Sequence, residues 1–349
     1  MLLFFVLLRV FIFARMNKIQ QALVSLTNAA LFHNEAVLPD NFRGKDYPKL
    51  YTCAKKNGVL ALCLDGILQL PAGQQPPKEL KLQWAANVIS IEKNYDRKQQ
   101  ALDKLTDIFR AENIPCLVFK GFALSRLYPQ PKHREFGDLD IFLPKHYDKG
   151  NIAMEKQGIH VHSGHHHTQF HINRVLVENH SAFLHDSHSS TERRLEFSAE
   201  NEQETHPGQY PLYFPSLHQA VHFADHTAQH FFSNDCNIRL RTLCDWALIL
   251  RDEGRDWEYT ELKAWLAHSE AGHLADMMTA VCTEWFGCTL SKKERHYVKP
   301  FSSRTRRRFT EAVFAKKYSK KDEPRRLVRY AAHLCKYFRF SKMRKKIAR

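Results

Sequence analysis

The chain has 349 residues, enough to bury a sizeable core and to form two or three packed units. Its eight cysteines show no Cys-x-x-Cys pair and no regular spacing, which favours a reducing, cytoplasmic location over a disulfide framework. The net charge of +15 arises in residues 291–349, where 22 Lys and Arg stand against 4 Asp and Glu, so the rest of the chain is close to neutral.

Residues 1–14 are apolar except for Arg9, and they are fewer than the roughly 20 residues that a membrane-spanning helix needs. No basic region precedes the apolar stretch and no small-residue cleavage site follows it, so it is not typical of a signal peptide. Because Met16-Asn17-Lys18 has the character of an ordinary start, we interpret residues 1–16 as a start-site extension. A membrane-associating helix is the alternative.

Residues 17–112 are predicted to form an N-terminal helical region with breaks at its prolines and glycines. The longest predicted helix, Gln83–Arg110, leads directly into the segment that follows, so we expect it to support that segment. Apolar residues recur along it at three- and four-residue steps, which indicates one core-facing stripe. The stripe consists of Trp84, Val88, Ile91, Tyr95, Leu102, Leu105 and Phe109.

Residues 114–144 are predicted to fold as strand, turn, helix, loop and strand. The apolar run Ile114–Phe119 has the length of a strand, and Lys120-Gly121 ends it. A short helix is predicted over Phe122–Tyr128, and Pro129 ends it. The second strand is predicted over Asp138–Leu143.

The second strand begins with Asp-Leu-Asp. Because side chains alternate along a strand, Asp138 and Asp140 share one face, and Leu139 points to the other. Two adjacent carboxylates repel each other unless a cation lies between them, and oxygen ligands of this kind suit Mg²⁺ or Mn²⁺. The pattern therefore predicts a divalent-metal site on this strand.

The same stretch resembles the nucleotidyltransferase fold of the DNA polymerase β superfamily, where a strand, a glycine turn and a helix precede a strand with an Asp-x-Asp pair. It resembles more closely a bacterial family of uncharacterised nucleotidyltransferases with the signature Lys-Gly-x-Ala-Leu, Leu-Tyr-Pro and Arg-x-x-Gly-Asp-x-Asp. The matching residues are Lys120–Leu124, Leu127–Pro129 and Arg134–Asp140. The resemblance implies an α+β fold, with a small mixed β-sheet core over residues 113–200 between N-terminal and C-terminal helical regions.

The turn departs from the superfamily pattern. Superfamily members have Gly-Ser or Gly-Gly there, and the serine helps to hold the nucleotide phosphates, whereas Phe122 follows Gly121 in this chain. Phosphate contacts would then fall to backbone N–H groups at Gly121 and to Lys120, and Lys120 or Arg134 would neutralise the departing pyrophosphate.

A histidine-rich stretch, residues 160–171, allows two interpretations. One is a Zn²⁺ site; the other is a polar hairpin with its turn at Ser163-Gly164, close to the nucleotide pocket. Structural zinc sites usually include cysteine, and none lies nearby, so we favour the hairpin.

A third strand is predicted over Arg174–Asn179. The family resembles Val-Glu-x-His at this place, and this chain has Val177-Glu178-Asn179-His180. The resemblance implies that Glu178 supplies a third metal-binding carboxylate beside Asp138 and Asp140. For His180 we expect either a catalytic role or a role in orienting Glu178.

Residues 191–215 are polar and are predicted to contain a remnant of a strand followed by a linker. A C-terminal helical bundle is predicted over residues 216–290. In it, histidines recur at four-residue steps, which predicts a semi-buried polar seam against the core, with metal binding as the alternative; they are His218, His222, His226 and His230. Arg241 and Asp245, in a segment that resembles a family motif, are expected to pair on one helix face, with a base or acceptor contact near the cleft as the alternative.

Residues 291–349 form a basic tail in which aromatic residues interleave with Lys and Arg. This composition predicts helices that suit RNA or an anionic membrane surface, with an exposed charged face as the plain alternative. No feature indicates an oligomer.

The resemblance implies a Mg²⁺- or Mn²⁺-dependent nucleotidyltransferase that moves an NMP group from an NTP, ATP among the candidates, to an acceptor that the sequence does not identify. The expected metal ligands are Asp138, Asp140 and Glu178. The alternative is a nucleotide- or RNA-binding protein on the same fold without catalysis. A Walker loop, a Gly-x-Gly-x-x-Gly turn and a Gly-x-Ser-x-Gly elbow are absent from the sequence, which argues against other common enzyme classes.

Overall fold

A computed structural model describes residues 16–164, 167–184, 189–232, 238–267, 269–298 and 300–314. The predictions for residues 1–15 and for the tail after residue 314 lie outside the described residues. No helix among the described residues is both long enough and apolar enough to cross a membrane.

The predicted α+β class is confirmed, because helices surround one mixed β-sheet. Three 3₁₀ turns lie at Gly44–Asp46, Ala72–Gln74 and Pro131–His133. The strands are β1 (Leu117–Phe119), β2 (Leu139–Phe142), β3 (His162–Ser163), β4 (His167–Ile172), β5 (Val175–His180) and β6 (Leu212–Tyr213). The α-helices are α1 (Lys18–Phe32), α2 (Tyr47–Asn57), α3 (Leu60–Leu68), α4 (Lys78–Ala111), α5 (Lys120–Ser125), α6 (Tyr147–Lys156), α7 (Ser190–Thr205), α8 (Ser216–Phe232), α9 (Leu240–Arg251), α10 (Tyr259–Trp265), α11 (Ala271–Phe286), α12 (Lys292–Arg295) and α13 (Ser303–Val313).

The sheet has the strand order β3-β4-β5-β2-β1-β6. Strand β2 lies at its centre, antiparallel to β1 and parallel to β5, while the hairpin β3-β4 extends the sheet beyond β5. Strand β6 adds to β1 in parallel. Central strands of this kind place their side chains on two covered faces.

Alternation along β2 sends its side chains into two different environments, as predicted. Leu139 and Ile141 pack in a core with Val177 of β5 and with Leu105 and Phe109 of α4. On the opposite face of the sheet, Phe119 and Phe142 belong to a second core, which helices from both ends of the chain share. Asp140 therefore lies on the same face as Phe119 and Phe142, opposite the face against which Leu105 and Phe109 of α4 pack.

The longest helix, α4, connects the two cores. Trp84 and Val88 in its first half pack with the helical core, and Leu105 and Phe109 in its second half pack beneath the sheet. The predicted apolar stripe is confirmed, since these side chains are buried. Tyr95 in the middle of the stripe stacks on Phe122 of α5, with ring centroids 5.5 Å apart, so the helix supports the turn after β1.

The predicted strand and linker over residues 191–215 are wrong, because most of this stretch is helix α7. Ser189 caps the helix by accepting a hydrogen bond from the Glu192 N–H, and Leu195 and Ala199, four residues apart, are fully buried. Leu195 and Ala199 form only a narrow buried face, and Phe197 lies exposed away from it, so the polar stretch shows no clear helical pattern of apolar residues.

Candidate metal centre

Strand register brings four functional side chains to one place on the helix-covered face of the sheet. On one side of Asp140 in β2 lies Phe119 of β1, the residue before Lys120. On its other side lies Glu178 of β5, and His180 follows two residues later on the same face. Since β2 and β5 run parallel, Glu178 and His180 become neighbours of Asp140, although they follow it by 38 and 40 positions in the sequence.

One group of candidate metal ligands is found among the described residues, and it consists of Asp140, Glu178 and His180. Each residue offers one ligand atom, and these three atoms lie within 4.8 Å of one another. His180 Nε2 lies 3.0 Å from Asp140 Oδ1 and 3.4 Å from Glu178 Oε2. The other Glu178 oxygen, Oε1, accepts a hydrogen bond of 2.8 Å from Gln169 on β4. Two carboxylates and one imidazole form a donor set that suits a divalent cation.

Hydrogen bonding sets the protonation of this group. The bond with His180 lowers the pKa of Glu178, against the opposing effect of burial. Burial by itself would lower the pKa of His180, but its bonds with Asp140 and Glu178 outweigh burial and raise that pKa. Both carboxylates are thus held ionised, which is the form that binds a metal.

Lys120 supplies a positive charge beside Asp140 and His180 of this group. Its Nζ lies 2.8 Å from Asp140 Oδ1 and 3.4 Å from His180 Nε2. Burial would raise the pKa of Asp140, but the Lys120 ammonium and the bond with His180 hold it well below its usual range. Lys120 has a φ of 53°, in the left-handed region that side chains other than glycine seldom adopt, so strain is concentrated at this turn.

Asp138 lies just before β2, half-buried at the rim of the cleft and outside the group of three ligands. Burial and the negative charges of Asp140 and Glu178 raise the pKa of Asp138. Helix α4 stabilises the loop before Asp138, because the buried Lys98 of α4 donates a hydrogen bond to the Phe136 carbonyl. Burial lowers the pKa of Lys98 to about 8, although Asp138 opposes that change.

Arg134 is locked in a buried network behind the cleft. Its Nε and Nη2 donate to the two carboxylate oxygens of Asp245, at 2.8 and 2.9 Å, and its Nη1 donates to the Gly121 carbonyl at 2.8 Å. Tyr128 donates to the same carboxylate at 2.6 Å. Asp245 of α9 thereby binds residues of the second and third motif segments, and Arg134 links them to Gly121 in the first.

The expected pairing of Arg241 with Asp245 is wrong. Asp245 forms its ion pair with Arg134, and Arg241 donates to the carbonyl of Glu135 instead. Burial lowers the pKa of the Arg241 guanidinium. Arg134 lies more than 100 residues from Asp245 in the sequence, yet it is the partner of Asp245 in place of Arg241. The reason is that its guanidinium donates to both carboxylate oxygens at once.

Gly121 serves close packing. A Cβ at this position would lie 2.9 Å from the Phe136 side chain, so only glycine lets Phe136 approach. The left-handed backbone conformation at the turn belongs to Lys120, not to Gly121. Gly121 and Lys120 both line the cleft in front of Asp138 and Asp140.

Helices α8 and α9 form the opposite wall of the cleft, which encloses about 290 Å³. His222, His226 and His230 of α8 line it, and His222 packs edge-on against Phe119 with centroids 5.0 Å apart. The predicted semi-buried seam is therefore confirmed for His222 and His226, whereas His230 is exposed. Burial lowers the pKa of His222 to about 3 and also lowers the pKa of His226, so these two imidazoles are uncharged at neutral pH.

The histidine-rich stretch forms the predicted hairpin, in which β3 pairs antiparallel with β4. The Gly164 N–H donates to the His167 carbonyl at the turn. His167 Nε2 lies 3.4 Å from Glu178 Oε1, so one histidine of this stretch reaches the metal-ligand group. His165 and His166 lie outside the described residues.

The sequence placed the hairpin that contains His167 near the pocket, but it did not indicate Gln169 or Lys98 as members of the site. Gln169 is the strand partner of Glu178, a relation that the register of β4 and β5 decides. Lys98 interrupts the otherwise apolar stripe of α4 and is 3% exposed, which is rare for lysine. A charged residue within a core-facing helix stripe was the one available signal.

The sequence model of a family described as "Uncharacterised nucleotidyltransferase" matches residues 43–287. This range includes the entire sheet, the cleft and helices α8 and α9. No curated protein and no solved structure matches the chain significantly.

Proposed function

The chain belongs to the uncharacterised nucleotidyltransferase family, and from that premise we propose that it transfers an NMP group from an NTP to an acceptor with the aid of Mg²⁺ or Mn²⁺. The observation that carries this proposal is the convergence of Asp140, Glu178 and His180 beside Lys120, with Asp140 and Lys120 lining the cleft. In the reaction, an acceptor atom bonds to the α-phosphorus and gives up its proton to water. The bond from the α-phosphorus to its bridging oxygen breaks, and pyrophosphate leaves.

The donor set fits a divalent cation. Asp140 and Glu178 would hold it, with Asp138 reaching in from the rim, and carboxylate oxygens are the ligands that Mg²⁺ and Mn²⁺ prefer. When bound, such an ion stabilises negative charge on phosphoryl oxygens and lowers the pKa of an attacking group. His180 bridges the two carboxylates and orients them, as residues that contact metal ligands commonly do.

Lys120 is the residue we assign to the phosphates. Its ammonium lies within the cleft, whereas three N–H groups of Arg134 are already used by Asp245 and Gly121. We therefore propose that Arg134 acts by fixing the turn at Gly121, and that Lys120 provides the mobile charge that meets the triphosphate.

We propose an anionic acceptor, an RNA or a molecule at an anionic membrane surface, on the strength of the basic residues 291–349. In the described part of this segment, Arg306 and Arg307 pair with Glu284 and Glu311, and further arginines on α13 add positive charge. Because Phe309 and Val313 of α13 pack in the core, the test removes only residues 315–349, which should leave nucleotide binding intact and weaken acceptor use.

The test of the proposed function is thermal unfolding with ATP, GTP, CTP and UTP, each with and without Mg²⁺. A ligand at 100 times its dissociation constant stabilises a protein by about 2.7 kcal/mol, enough to raise the Tm by several degrees. We expect a Mg²⁺-dependent shift with at least one NTP, lost in the Asp138→Asn/Asp140→Asn double variant. The control, Asp103→Asn, neutralises an exposed carboxylate on α4 and should behave as wild type.

The nucleotide that shifts the Tm should then be supplied with its α-phosphate labelled, and label transfer and pyrophosphate release measured together. Label transfer that depends on both Asp138 and Asp140 would support catalysis. Mg²⁺-dependent binding without pyrophosphate release, across RNA, protein and small-molecule acceptors, would favour the nucleotide-binding alternative.

A further inference from the structure

The ammonium group of Lys120 contacts two of the three residues that form the candidate metal-ligand group. Its Nζ is 2.8 Å from Asp140 Oδ1 and 3.4 Å from His180 Nε2, and both residues belong to the group of three ligands. Asp140 Oδ1 thus faces two donors, Lys120 Nζ and His180 Nε2. A divalent cation that approaches this oxygen would meet a positive charge already in contact with it.

The surroundings make this contact a strong one. The side chain of Asp140 is 5% exposed and that of Lys120 is 19% exposed, so water screens the pair only weakly. The φ of 53° at Lys120 fixes the start of the side chain in an unusual backbone conformation at the end of β1. A strained residue that contacts the centre of a site is a common feature of functional turns.

We propose that Lys120 is an internal counter-ion that competes with the divalent metal for Asp140 until a nucleotide arrives. The triphosphate would draw the ammonium away from Asp140, and the vacated contact would become available to the metal. Metal and nucleotide binding would then strengthen each other. This inference rests on the proposed function, because it assigns the metal and the triphosphate to the same cleft.

The competition has an unusual consequence for a change at Lys120. Removing a residue that binds phosphate should weaken nucleotide binding, but here it should also tighten the binding of metal alone. A single nearby charge commonly changes the occupancy of a buried ionic site by about tenfold or more. Because coupling between two ligands is reciprocal, loss of the competing charge should also reduce the effect of metal on nucleotide affinity.

The experiment is a titration with Mn²⁺ alone, without nucleotide, in which electron paramagnetic resonance measures the free ion. We expect Lys120→Met to bind Mn²⁺ about tenfold more tightly than wild type, since a nearby positive charge of this kind opposes cation binding. Lys120→Arg, which keeps the charge, should remain close to wild type. Lys132→Met is the matched control, because Lys132 pairs with Asp96 on the surface and its loss changes the net charge equally.

A second measurement uses a fluorescent NTP analogue with a methylene group between the α- and β-phosphates. In wild type, Mn²⁺ should raise the affinity for this analogue strongly; in Lys120→Met both the affinity and its dependence on Mn²⁺ should fall. Lys120→Gln provides a second neutral variant if the Met variant melts at a lower temperature than wild type.

The outcomes separate this inference from the proposed function. If Mn²⁺ binds wild type and the neutral Lys120 variants with equal affinity, or binds the variants more weakly, the counter-ion role is overturned while the metal site stands. If neither wild type nor the variants bind Mn²⁺ in either titration, the metal site and the counter-ion role are overturned together. Equal tightening in Lys132→Met would reduce the effect to net charge and would also overturn the role of Lys120.

Discussion

Two buried clusters of charge lie close together in this protein and are organised in opposite ways. In the first, Arg134, Asp245 and Tyr128 satisfy one another, and both Asp245 oxygens receive donors. In the second, Asp138, Asp140 and Glu178 outnumber the charge of Lys120, and the pKa of Asp138 is raised by its negative neighbours. A closed network of this kind stabilises one arrangement of the chain, whereas an excess of negative charge leaves a site able to bind a cation.

The comparison also separates the roles of the motif residues. Arg134 and Gly121 belong to the family signature, and they hold the turn through the Asp245 network and through packing against Phe136. Lys120 and Asp140 belong to the same signature, and they face the cleft. One short motif thus supplies both the support of the turn and charged groups that face the cleft.

Breaking the closed network should produce the largest effect. Asp245→Ala leaves the Arg134 guanidinium buried without a counter-charge, and we expect a loss of about 3–5 kcal/mol in the free energy of unfolding. Denaturant unfolding measures this change, with Glu253→Ala, an exposed carboxylate after α9, as the control. A loss no larger than that of the control would show that the network is not a main support of the fold.

A smaller effect is expected from Tyr128→Phe. This variant keeps the ring and removes one hydrogen bond to Asp245, and a bond to a charged group contributes about 1.5–3 kcal/mol. The Tm should fall, whereas Tyr297→Phe, at a tyrosine 45% exposed, should leave it unchanged. An unchanged Tm in Tyr128→Phe would mean that Arg134 alone satisfies Asp245.

The segment before Arg134 should make stability depend on pH. His133 contacts Asp65 at 2.6 Å and Glu92 at 3.0 Å; burial opposes its protonation, but these two bonds outweigh burial and raise its pKa. Its contribution is therefore fully present below pH 6.5, the unfolded value, and is lost as pH rises through the folded pKa.

Because Asp65 and Glu92 are partly exposed, this contribution should be about 1 kcal/mol or less. Urea unfolding across this pH range should show the decline in wild type and a flatter profile in His133→Gln. The exposed control His33→Gln should keep the wild-type profile. Parallel profiles for His133→Gln and wild type would contradict the assignment.

In the open cluster, a substitution should stabilise the fold instead of weakening it. The pKa of Asp138 is raised in the folded protein, so its ionisation destabilises the fold as pH rises, and Asp138→Asn should gain up to about 1 kcal/mol at pH 7 without metal. The same variant should lose stabilisation by Mg²⁺ and NTP. Urea unfolding with and without these ligands measures both effects, and a lower stability without ligands would place Asp138 among the supporting residues.

Much of the fold could be predicted from local pattern. The stripe from Trp84 to Phe109 predicted α4, and alternation from Leu139 to Ile141 predicted which face of β2 carries Asp140. The two strands of the histidine-rich hairpin were also predicted around the observed turn at Gly164. Helix α7 was missed because its apolar face is only one residue wide per turn.

The sequence by itself determined the strand-helix-strand unit, its motif and the shared face of Asp138 and Asp140, because each depends on residues a few positions apart. Tertiary structure alone decided that Asp245 binds Arg134, 111 residues away, and that Lys120 meets His180, 60 residues away. Periodicity is a local property of the chain. The partner of a charged group depends instead on which distant elements the folded cores bring within a few ångströms of it.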